Sequence, residues 1–80
     1  MDELTAEQIA QHYTAMGHSV ELINAIIAGT AMADDDAADK QDCVDRNVGH
    51  LEIMVAKDFW TTEDMTAANA AITAGKAYSA

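Results

Sequence analysis

Apolar residues recur at intervals of three and four along most of this chain, and no proline interrupts them. That spacing gathers them on one face of an α-helix and does not fit the two-residue alternation of a half-buried strand. Ile9, Tyr13 and Met16 make one such stripe. Val20, Ile23, Ile27 and Ala31 make another, with Leu22, Ile26 and Ala33 beside it, so this segment is expected to be buried over a wide arc and to lie centrally. Val44, Val48, Leu51 and Val55 extend the pattern, flanked by Cys43, Asn47, His50 and Met54. The expected fold is all-α: a small bundle of three to four helices forming a single domain over residues 1–80.

Helix ends can be read from capping chemistry. In Leu4-Thr5-Ala6-Glu7-Gln8-Ile9, Thr5 stands at N-cap and Gln8 three residues on, a capping box, with Leu4 and Ile9 placed for a hydrophobic staple. Gly17 is read as the stop of that first helix and Ser19 as the cap of a second. Asp34-Asp35-Asp36 is read as a break that caps a third and sets negative charge on its positive dipole end; one continuous helix from Ser19 to Lys57 is the alternative. Trp60-Thr61-Thr62-Glu63-Asp64-Met65 repeats the first start, with Trp60 and Met65 at the staple positions, and Gly75 ends the last helix. The predicted helices therefore run over about 5–16, 19–33, 36–57 and 61–74. The shared Thr-x-Glu-(Gln/Asp)-(Ile/Met) pattern fades after one turn, as convergence on good capping would give.

Such helices have little to bury. About a fifth of the chain is Ala and only about a quarter is Val, Ile, Leu, Met, Phe, Trp or Tyr, so an isolated 80-residue monomer is stable by a thin margin. Chains of this size ordinarily add disulfides, a metal or association. The single Cys43 excludes an intramolecular disulfide and suits reducing surroundings. Met1-Asp2-Glu3 is acidic where a signal peptide is positively charged. The longest weakly apolar stretch, Ala25 to Ala33, is far short of the ~20 residues of a membrane span. No membrane association is expected.

Fourteen acids against four bases give a formal net charge of −10, which repels phosphate backbones and makes direct nucleic-acid binding unexpected. Half of the acids have a structural reading: Glu7, Glu21, Asp34, Asp35, Asp36, Glu63 and Asp64 fall in or before predicted first turns, where each stabilises the helix dipole by ~0.3–1 kcal/mol. Asp36–Lys40 and Asp42–Arg46 are i,i+4 pairs in the favourable order. Asp39, Asp42 and Asp45 remain as an acidic face, read first as solvated surface. A calcium loop beginning at Asp34 would need Gly where Asp39 stands and would lack its terminal bidentate Glu.

No catalytic, cofactor or metal set emerges. His12, His18 and His50 lack the Glu-x-x-His pairing of helical di-metal sites, Cys43 has no adjacent base or cation, and no triad or phosphate-binding Gly loop is present. Cys43 and His50 are expected to pack at the edge of the core. The candidate interface is Phe59, Trp60, Met54 and Met65, because methionine adapts to varied surfaces and Trp anchors interfaces; Trp60 itself is read first as the staple of the last helix, with the anchor as the alternative and the two compatible.

The stretch from Arg46 to Ala77, with its Lys57-Asp58-Phe59-Trp60-Thr61 junction and the Ala-rich segment after it, resembles segments of small uncharacterised proteins of tailed bacteriophages, including those infecting marine cyanobacteria. The resemblance covers less than half of the chain and brings no catalytic residues. It implies a virion component or a modulator of a host enzyme, in host cytoplasm or in an assembled virion. The functional expectation is a non-enzymatic structural or binding module, working through a protein partner or self-association. The alternative is an acidic inhibitor that mimics nucleic acid and binds a basic host protein through Asp39, Asp42 and Asp45.

Overall fold

The computed structural model describes residues 5–80 and consists of three helices: α1 (Ala6–Ala28), α2 (Ala37–Val55) and α3 (Thr62–Ala77). They pack up-down-up, each against both others, in a body of 42 × 20 × 19 Å. The all-α bundle read from the spacing is the fold observed. Its core is Met16, Ile23 and Ile26 from α1, Val44, Val48, Leu51 and Met54 from α2, Ala68 and Ala71 from α3, and Trp60 from the α2–α3 connection.

Two predicted helices, 5–16 and 19–33, are one. Gly17 does not stop α1, because the buried row Met16, Ser19, Ile23 and Ile26 runs through it in unbroken register at spacings of three and four. Breaking the helix there would forfeit that register. Ser19 is therefore no cap: it is buried, and its Oγ lies 2.9 Å from Nδ1 of His50 on α2. Glu21 likewise lies within α1 and serves no helix start.

The stop of α1 is Gly29, at φ 83° and ψ 13°, a left-handed conformation that costs a residue without Cβ little. The Gly29 N–H donates to Ile26 O (3.1 Å) and the Thr30 N–H to Ala25 O (2.9 Å), the paired bonds of a Schellman ending. Ala31 and Ala33, assigned above to helical rows, fall in the turn that follows, where Met32 also takes a positive φ of 54°.

The break at Asp34-Asp35-Asp36 is present. Asp36 occupies the N-cap of α2 with extended backbone, but its side chain makes no capping hydrogen bond. Both expected capping boxes are complete: Thr5 Oγ1 accepts from Gln8 N (3.1 Å) while Gln8 Oε1 accepts from Thr5 N (2.9 Å), and Thr61 and Asp64 do the same at 3.0 and 3.2 Å. Leu4, the other half of the first staple, lies outside the described residues.

Helix α3 continues three residues past the expected end at Ala74. Gly75 is buried inside it, and a Cβ there would collide with Val48 Cγ2 and lie 3.4 and 3.6 Å from side-chain carbons of Val44 and Ile23. Its role is close approach, the permission small residues give two backbones to meet. Beyond α3, Gln41 ties the last residues to the start of α2, donating to Tyr78 O (3.3 Å) and accepting from Ala80 N (2.9 Å). Among the described residues, no helix is long and apolar enough to cross a membrane.

Candidate functional site

The α2–α3 connection organises one end of the bundle. Trp60 is 8% exposed, and its Nε1–H donates 2.8 Å to the carbonyl of Met54, one of the last acceptors of α2. The indole thus adds a second donor to a helix-end carbonyl that also accepts from Lys57 N (3.1 Å), while its rings fill the core. Phe59 stacks obliquely on it at 4.6 Å between ring centroids, Tyr13 approaches from α1 at 6.0 Å, and His12 lies 6.1 Å from Phe59. Of the four expected interface residues, Met54 and Trp60 are buried in the chain's own core, and Phe59 and Met65 are half-buried against it. The open member of the aromatic group is Tyr13, 50% exposed.

Tyr13 divides a groove along the α1–α3 side. Toward the N-terminal ends, a depression of about 400 Å³ is lined by Ala6, Ile9, Ala10, Tyr13, Thr14 and Asp64. On the other side, a second of about 180 Å³ is lined by Tyr13, Met16, Gly17, Val20, Glu21, Ala67 and Ala68. The groove exists because α1 and α3 present small residues to each other's flank; a Cβ on Gly17 would meet nothing within 4 Å. Sequence reasoning missed this surface. Its only signal is the row Ala6, Ala10, Tyr13, Gly17, and alanine in a helix is otherwise read as a helix former.

The other candidates are separate from this groove. Asp39, Asp42 and Asp45 all lie exposed on α2. Asp42 pairs with Arg46 at 3.0 Å and Asp45 accepts from Gln41 at 3.0 Å, so the acidic face is interleaved with donors. Because Asp42 and Asp45 belong to a regular helix, they do not wrap around a common point with Asp34 and Asp36 as a calcium loop would. The i,i+4 pair expected between Asp36 and Lys40 does not form among the described residues, whereas Lys76 bridges α3 to Glu52 of α2 at 2.7 Å.

Cys43 is half-buried, and Asn47 Nδ2 donates to its carbonyl at 2.8 Å and contacts its Sγ at 3.5 Å. His50, expected at the edge of the core, is exposed, with its Nδ1 2.9 Å from Oγ of the buried Ser19. Met16 is buried with Met54, Met32 and Met65 are half-buried, and Met1 lies outside the described residues. Among the described residues, no three His, Cys, Asp or Glu side chains converge as a metal ion would require.

The fold and this surface define a small acidic three-helix bundle with an open groove, mixed in polarity toward the N-terminal ends and mainly apolar beyond Tyr13, beside a closed aromatic corner. Comparison with protein-family models, curated proteins and solved structures finds no match to the chain.

Proposed function

We propose that this chain is a non-enzymatic structural or binding module that works within a larger assembly, as an oligomer or as a minor component joined to other proteins. The observation that supports this reading is the economy of the core. Among the described residues, ten hydrophobic residues are buried, two of them alanines, and the largest completely buried side chains are Ile23, Leu51 and Val44. A core of that size leaves a thin stability margin, while Tyr13, Ile27 and Ile53 keep 50%, 41% and 65% of their surface in water. Covering such residues in an assembly adds apolar burial that the single chain lacks. The resemblance to small tailed-phage proteins makes a virion the assembly to examine first.

Size exclusion with light scattering tests the reading. The expected result is a mass above the 8.5 kDa of one chain, or co-elution at fixed stoichiometry with a partner when the chain is isolated from its native particle. A tightly folded monomer that is absent from every particle would overturn it. The nucleic-acid-mimic alternative draws no comparable support, since Arg46 and Gln41 engage two of the three aspartates it depends on.

A further inference from the structure

We infer that the α1–α3 groove is a docking site for a cationic amphipathic helix of a different protein, which seats as a fourth helix beside α1 and α3. This inference rests on the binding-module reading and names the partner's chemistry. The groove runs between two helices of the same direction, the position a fourth helix takes in a bundle. Its two depressions lie either side of Tyr13, centred near Ala10 and Gly17. Seven helical residues separate those two positions, about 10.5 Å of rise. That is also the i to i+7 spacing of anchors on a partner helix laid alongside, so two apolar anchors enter the two depressions together. A small residue between them passes over Tyr13.

Charge selects the partner. Each depression is lined by one carboxylate, Asp64 in the first and Glu21 in the second. Asp64 uses Oδ2 to accept from Thr61 N and has a second oxygen to offer. α1 has no Lys or Arg, and the single one of α3, Lys76, is turned to Glu52 of α2. Glu7 and Glu63 add to the same sign on the same two helices. A second copy of this chain would bring another net charge of −10 to an already negative groove, whereas lysines flanking the apolar stripe of a partner helix complement it and speed its encounter.

The test uses the full chain, labelled with ¹⁵N, and two synthetic helix-forming peptides that share a Leu stripe at i, i+7 and i+14 with Ala between. One is flanked by Lys and the other by Glu. The Lys peptide is expected to shift the amides of Ala6–Glu21 and Asp64–Ala68, to bind more weakly as salt rises, and to lose about tenfold affinity in Gly17→Leu. A Cβ at Gly17 meets nothing within 4 Å, so Gly17→Leu extends into the groove from a position with room for its first carbon; Ala67→Lys, at an exposed position of the same lining, is the second variant and should also weaken binding. Shifts confined to α2, equal binding of the Glu peptide, or indifference to both variants would overturn the inference. So would self-association of the free chain through these same residues. An assembly formed through another face removes this inference and leaves the binding-module reading standing; no assembly at all removes both.

Discussion

Gly17, Gly29 and Gly75 each follow a run of helical spacing, yet each meets a different physical demand. Only Gly29 needs a positive φ, and there the chain turns. Gly75 needs the absence of a Cβ, because Val48 occupies that space, while Gly17 and Gly49 sit in regular helix with nothing within 4 Å. Opposite outcomes for one substitution follow. Gly49→Ala removes the backbone-entropy cost of glycine and is expected to stabilise by ~0.5–1 kcal/mol. Gly75→Ala gains the same propensity but overpacks the junction of all three helices, a cost of ~1–3 kcal/mol that outweighs it. Urea denaturation followed by circular dichroism checks the pair; a stabilised Gly75→Ala would show that Val48 yields freely. Trp60→Phe keeps most of the apolar burial and removes the indole bond to the Met54 carbonyl, which still accepts from Lys57 N, so a loss of about 0.5–1.5 kcal/mol is expected in the same assay.

At the scale of the element, three helix starts share an acidic, hydroxylic look and differ in what holds them. Thr5 and Thr61 close reciprocal capping boxes, whereas Asp36 supplies only charge near the dipole of α2. Thr5→Ala and Thr61→Ala are each expected to cost about 1 kcal/mol. Asp36→Ala should fall below them, near the few tenths that an exposed charge–dipole interaction contributes. Thermal melts of the three variants decide the order, and an Asp36 variant that is the least stable would contradict the geometry. The capping boxes were legible in the sequence because they involve only four consecutive residues. The continuity of α1 was not, since a glycine followed by His and Ser has the local form of a stop, and it is the burial of Met16, Ser19, Ile23 and Ile26 as one row that carries the helix through.

For the whole molecule, a net charge of −10 is spread over a body only about 20 Å across its two short axes. Two ion pairs form among the described residues, Asp42–Arg46 and Glu52–Lys76, and both are exposed. Pairs of that kind contribute little, so repulsion among the remaining acids is the larger electrostatic effect on stability. The melting temperature is therefore expected to rise as sodium chloride increases from about 10 mM to about 0.5 M, where the Debye length shrinks severalfold. A melting temperature that falls with salt would mean that the two pairs outweigh the repulsion.

The sequence by itself determined that the chain is helical, that Thr5 and Thr61 begin helices, and that the Asp34–Asp36 run separates two of them. Those properties follow from spacings of three and four and from bonds between near neighbours in the chain. Only the tertiary structure decided which glycine turns the chain, that Trp60 closes the end of α2 as it fills the core, and that Tyr13 rather than Trp60 is the aromatic left in the open. The groove beside Tyr13 belongs to this second group. It is a property of the distance between α1 and α3, and its small residues acquire meaning only when two helices far apart in sequence lie side by side.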